Sequence, residues 1–248
     1  MRIGTMQQAL TTRRRPAGVP TYRSDIIPDD GPAWARIGNA KLIEQDPGSE
    51  LGAHFHFVNQ FQVVVGGSGT IGRRDVAPWT VQFAGPSTPY GPLTAGPDGL
   101  SYLVIRNAIN HGIAYMPAER ARMGPESRRY HITAPFQDST TPEAAGPISE
   151  QPMLADEPDG LAATHLRLPP NASTAQPAPA NCGGQVLVLL SGAASLHGAA
   201  LDPLSCIFAA PGEDMPELTA GPDGAELLRL RFPTTGIGEA PATPTDKS

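Results

Sequence analysis

An all-β fold made of two copies of one unit is predicted by three observations. One heptapeptide recurs in register, short apolar runs are separated by glycine-rich turns, and Gly and Pro are abundant while aromatics are few. The 248 residues include 27 Gly and 28 Pro, with aromatics at 6%. Such a composition works against long helices and favours short strands joined by tight turns. The heptapeptide Leu93-Thr94-Ala95-Gly96-Pro97-Asp98-Gly99 returns as Leu218-Thr219-Ala220-Gly221-Pro222-Asp223-Gly224, at an offset of 125 residues. The same offset carries Gln60 onto Gln185, Gly67 onto Gly192, Phe83 onto Phe208, Pro86 onto Pro211 and Arg106 onto Arg231. A shared register over so many positions points to duplication.

Taken in order, residues 1–34 form a polar arm carrying the run Arg13-Arg14-Arg15. Packing of this arm on the partner copy and on a second subunit both stay open. The first copy spans residues 35–107. In it Phe61 to Val65 is a strand, Gly66-Gly67-Ser68-Gly69 a turn, and Thr70-Ile71 the start of the returning strand. Trp79 to Phe83 and Ser101 to Arg106 are further strands, with Gly96-Pro97-Asp98-Gly99 as turn chemistry between them. Residues 108–159 read as a connecting segment, with a short helix over Ala118 to Met123 and a Pro-, Ser- and Thr-rich loop over Pro135 to Pro152. The second copy, residues 160–232, repeats strand, turn and strand at Val186 to Leu190, Ser191-Gly192 and Ala194 to Leu196. Residues 233–248 read as a disordered tail. Short strands with regular turn signals indicate a sandwich or barrel.

The chemistry concentrates at GSELGAHFHFVNQFQVVVGG, Gly48 to Gly67. His54 and His56 stand two apart, so on a strand both imidazoles face one way while Phe55 and Phe57 face the other. Gln60 follows after three residues, within reach of the same point. Two imidazoles and an oxygen donor form a usual first shell for a first-row divalent metal. The spacing resembles the first motif of the cupin family, G(X)5HXH(X)3,4E(X)6G, with Gln60 where that motif has Glu. The second cupin motif supplies a third histidine; here Gly85-Pro86-Ser87-Thr88-Pro89-Tyr90 places Tyr90 at that point. The resemblance covers both copies and implies two tandem double-stranded β-helix (jelly-roll) barrels with little helix. It implies metal ligands His54, His56 and Gln60. Tyr90 is a further ligand, a catalytic acid–base group or a pocket-lining aromatic. In the second copy, the offset puts Pro179 and Asn181 at the histidine positions and Met215 at Tyr90, so that barrel reads as a scaffold without metal.

The remaining features bound the function. A net charge of −6 argues against nucleic acid as a partner. Two cysteines, Cys182 and Cys206, make no disulfide framework. No signal-peptide core and no run of 18 apolar residues is present, so the expected place is the cytoplasm, away from membranes. His111, His131, His165 and His197 read as surface or turn residues. Arg106 and Arg231, matched between copies, read as structural salt-bridge partners. Replacing Glu by Gln leaves a metal's charge uncompensated and favours a small anionic substrate such as a carboxylate, enolate or catecholate. By resemblance, the reading is a metal-dependent enzyme of the dioxygenase type, ahead of isomerase or lyase. Fe(II) comes first as cofactor, then Mn, Ni, Zn or Cu, and a homodimer is implied. The alternative is a non-catalytic, metal-free bicupin that binds a small molecule. A regulatory sensor is disfavoured, since no helix-turn-helix is evident.

Overall fold

The computed structural model describes residues 1–32, 35–110, 112–124, 128–136, 147–177 and 180–236. The expectation of an all-β chain holds. Two antiparallel eight-stranded sheets make up most of these residues, with one helix at Met6–Leu10 and one 3₁₀ turn at Arg120–Arg122. That 3₁₀ turn stands where a short helix was expected at Ala118 to Met123. Among the described residues, no helix is long and apolar enough to cross a membrane.

The first sheet runs in the order Tyr130–Ile132, Val81–Ala84, Gln60–Ile71, Leu93–Arg106, Asn39–Gln45, Thr21–Ile27. The second runs Arg2–Gly4, Cys206–Ala209, Gln185–Leu196, Met215–Arg231, Ala162–Leu168, Ser149–Leu154. The four inner strands of the two sheets correspond. From Gln60 onward they keep the offset of 125, since Gln60 faces Arg106 and Gln185 faces Arg231. Earlier in each copy the offset is two residues shorter, because Asn39 and Ala162 occupy those same positions against Arg106 and Arg231. The step falls between Thr174 and Gln185, so the gap-free pairing of His54 with Pro179 and His56 with Asn181 needs correcting. Pro179 itself lies outside the described residues.

Four features differ from the sequence reading. Residues 1–34 are no separate arm: Arg2–Gly4 pairs with Cys206–Ala209 in the second sheet, and Thr21–Ile27 pairs with Asn39–Gln45 in the first. The connecting segment likewise gives an edge strand to each sheet, Tyr130–Ile132 and Ser149–Leu154. The expected turn at Gly66 to Gly69 is a pair of bulges inside one long strand, with register shifts at Val64/Gly66 and Gly67/Gly69. Gly67 holds φ +70, and a Cβ there would lie 2.1 Å from the Gly99 carbonyl oxygen. Only glycine satisfies both demands. Its twin Gly192 repeats the pattern at φ +78 against Gly224. The tail reading over 233–248 is cut back at its start, where the Thr235 hydroxyl donates to Asp159; residues 237–248 lie outside the description.

Alternation along the strands sorts the side chains onto two faces. Phe61, Val63, Val81, Phe83, Leu103 and Ile105 of the first sheet join Val186, Val188, Phe208, Leu228, Leu230 and Phe232 of the second in one shared core. The other face of each sheet encloses its own interior. In the second copy that interior is filled by apolar residues including Leu187, Leu189, Met215 and Leu227. In the first copy it is polar at one end.

Candidate functional site

The polar end belongs to three adjacent strands. Gln60 and Gln62 on one, Val104 and Arg106 on the next, and Lys41 on the third stand side by side, through the pairs Gln60–Arg106, Gln62–Val104 and Lys41–Val104. The two-residue strand His54–Phe55 closes over them, bridged to Tyr90 through reciprocal backbone bonds of 3.0 Å. His54 and His56 both face the cavity, while Phe55 and Phe57 pack against each other at 5.4 Å on the opposite side. The cavity is about 290 Å³ and is lined by His54, His56, Gln60, Gln62, Tyr90 and Arg106 together with Lys41, Arg23 and Tyr102. The four sequence-predicted residues His54, His56, Gln60 and Tyr90 are therefore neighbours. A larger cavity of about 530 Å³ lies elsewhere, lined by Arg129, Glu157 and Asp159 among others. Its one arginine is already paired with both carboxylates, so it offers no free positive charge to an anion.

A directed chain of hydrogen bonds links the site. The Arg106 Nε–H donates to Gln60 Oε1 at 2.8 Å, and Gln60 Nε2 donates to the Tyr90 hydroxyl at 2.6 Å. The Tyr90 hydroxyl lies 3.0 Å from His54 Nε2, and His54 Nδ1 lies 2.7 Å from the Gly52 carbonyl oxygen. A carbonyl only accepts, so His54 carries its proton on Nδ1 and its Nε2 accepts from Tyr90. Arg106 also places a terminal guanidinium nitrogen 3.2 Å from His56 Nε2. Burial, reinforced by Arg106, holds His54 neutral, down to about 4, and His56 well below its usual value. Burial pushes the Tyr90 hydroxyl far up, so it keeps its proton.

The cations are unequal. Burial, with Arg106 nearby, lowers Lys41 to about 8 despite its ion pair with Asp29. Burial pushes Asp29 up, but Lys41 and Arg23 outweigh it and bring that carboxyl to about 2. Arg23 is shared between Asp25 and Asp29. Arg106 is 7% exposed, burial draws it down to about 10, and its hydrogen bonds go to neutral groups. It corrects the sequence reading as a structural salt-bridge partner. Only its twin Arg231 plays that part, against Asp156. Strand parity gave only a partial signal, placing Arg106 on one face with Tyr102 and Val104 but not beside Gln60, Gln62 or Lys41. The matched arginine in the second copy obscured the signal.

A divalent metal on His54, His56 and Gln60 is a poor fit to this arrangement. His54 Nε2 accepts from Tyr90, while His56 Nε2 and Gln60 Oε1 both face Arg106 N–H donors. A +2 ion would sit against a buried guanidinium. Among the described residues no group of three or more His, Cys, Asp or Glu is placed to hold a metal ion.

No protein-family model matches the chain, and no curated protein matches it. Solved structures do. A candidate dioxygenase from Nostoc punctiforme PCC 73102 matches with a TM-score of 0.62 at 12% identity, over 97% of this chain and 82% of that one. The Lactobacillus farciminis oxalate decarboxylase, solved as a formate complex, gives 0.59 at 9% identity, over 91% and 85%. The bacterial pirin YhhW from Escherichia coli, in complex with nickel(II), gives 0.59 at 10%, over 94% and 98%. These neighbours are cupin-fold proteins, and at such identities the likeness is one of fold.

Proposed function

We propose that the first-copy cavity binds a small organic anion directly through Arg106 and Lys41, and that Tyr90 is the group placed to handle a proton on it. One observation carries this reading: Arg106 is a buried cation whose hydrogen bonds run to neutral groups, at the wall of a cavity. Taking a charge out of water costs several kcal/mol unless an opposite charge offsets it, and a bound carboxylate would supply that charge with bidentate geometry. The formate held by a fold neighbour is an anion of this class. Gln60 suits this role where a glutamate would not, because its amide accepts from Arg106 and donates to Tyr90 at once. We read the two sheets as tandem barrels, with the second a scaffold. Its counterparts of Gln62 and Tyr90 are Leu187 and Met215, both packed in its apolar interior.

The test is calorimetric titration with short carboxylates (acetate, pyruvate and lactate) against the wild type and Arg106→Met. Arg106→Met should weaken binding at least tenfold. Unchanged affinity would overturn the assignment.

A metal-dependent oxygenase, with Fe(II) as first choice, is the second reading. It is favoured by the two uncharged imidazoles and by the names of the fold neighbours. It requires the guanidinium to leave His56. Elemental analysis of untagged protein beside a His54→Ala/His56→Ala variant decides it: near-stoichiometric metal in the wild type alone would establish this reading, and metal-free protein after anaerobic Fe(II) reconstitution would remove it.

A further inference from the structure

Gln62 stands out among the residues lining the cavity. It is 3% exposed, and its Oε1 has no hydrogen-bond partner. Its Nε2 reaches only to 3.5 Å from the Tyr90 hydroxyl, a position already taken at 2.6 Å by Gln60. An unpaired buried carbonyl is unfavourable, because it has given up its hydrogen bonds to water and gained none in return. Such a group in a native cavity calls for a partner that arrives from outside. The terminal amide torsion is soft, so Oε1 can turn into the cavity when one does.

The register fixes where that partner would be. Gln62 and Lys41 lie on either side of Val104, and Arg106 is two residues further along the same central strand. Arg106, Lys41 and Gln62 thus surround one patch of floor, with neighbouring strands about 4.8 Å apart. A carboxylate between the two cations leaves the next atom of the ligand facing Gln62. What Oε1 lacks is a donor, so that atom must carry an O–H or N–H. An ammonium there would stand among Arg23, Lys41 and Arg106, all lining the same cavity, and would be repelled. A hydroxyl donates without charge and, unlike an amide N–H, adds a single heavy atom to a ligand held in a cavity of about 290 Å³.

Resting on the anion-binding reading, we infer that the ligand is a hydroxycarboxylic acid, with its carboxylate on Arg106 and Lys41 and its hydroxyl donating to Gln62. The cavity of about 290 Å³ has room for a compact acid of this kind.

The probes are lactate and propionate, which differ by the one hydroxyl, titrated into the wild type, Gln62→Leu and Arg106→Met. Wild type should bind lactate at least tenfold more tightly than propionate. Gln62→Leu should bring the two together, mainly by weakening lactate. Arg106→Met should weaken both. Equal affinities in the wild type, with Arg106→Met still weaker, would overturn the hydroxyl inference and leave the anion site standing; a buried water would then be the partner of Gln62. Failure of both acids to bind any of the three proteins would overturn the two readings together. A preference for lactate that survives in Gln62→Leu would move the hydroxyl to another residue and also overturn the inference. Thermal melts of each variant establish that it is folded.

Discussion

Arg106 and Gln60 illustrate how far a single side chain can set the character of a cavity. A buried arginine lacking a carboxylate is costly, and replacing such groups by apolar ones of similar size is often neutral or stabilising. Arg106→Met removes a buried charge but also strips Gln60 Oε1 of its donor, effects of similar size and opposite sign, so unfolding free energy should change by less than about 2 kcal/mol while anion affinity is lost. Urea melts check this, and a large loss of stability would make the guanidinium a structural prop. Gln60→Glu should weaken carboxylate binding by about tenfold, because a carboxylate at that position pairs with Arg106 and cancels the charge a ligand would meet; calorimetry reads it. Two titrations add pH signatures. His54, held at about 4 when folded, regains its ordinary value near 6.5 on unfolding. The unfolded chain then binds more protons between these values, so stability is full above about 6.5 and falls as pH drops towards 4, by about 1.4 kcal/mol per unit for this one group. Urea melts from pH 7 to 4, beside His54→Phe, test this. Lys41, at about 8, should lose charge as pH rises past that value. Anion affinity should fall there in the wild type and not in Lys41→Met.

At the scale of strands and turns, glycine placement was the most legible feature. Gly67 and Gly192 stood out as matched positions, and the structure shows each absorbing a bulge against a neighbouring carbonyl. Gly67→Ala should cost at least about 2 kcal/mol, the sum of a left-handed φ and a backbone clash, as measured by chemical denaturation. The HxH pair was legible for a similar reason, because period-two alternation alone sends His54 and His56 into one cavity. Lys41 and Arg106 were not legible. Their role depends on three strands distant in sequence lying side by side, Asn39–Gln45, Leu93–Arg106 and Gln60–Ile71, and no local pattern carries that pairing. The edge strands Arg2–Gly4 and Ser149–Leu154 were missed as well. Short edge strands bury little and carry weak alternation, so their sequences read as arm and loop.

The molecule as a whole is joined along one apolar seam. Phe61 lies 5.0 Å from Phe83 and 5.0 Å from Phe232, linking the backs of the two sheets. Phe232→Ala should cost about 3–5 kcal/mol, and a fragment spanning residues 147–236 should aggregate, since it would expose Val186, Val188, Leu228 and Leu230. Size-exclusion chromatography of that fragment checks the claim, and a stable monomer would refute it. Strand Arg2–Gly4 fastens the same seam from the far end of the chain, lying against Ile207 and Cys206 with Gly4 pressed on the Ile26 backbone. On the ribosome, this strand emerges about 200 residues ahead of its partner. It must therefore wait for that whole intervening stretch to be made before it can pair, which makes its docking a late event.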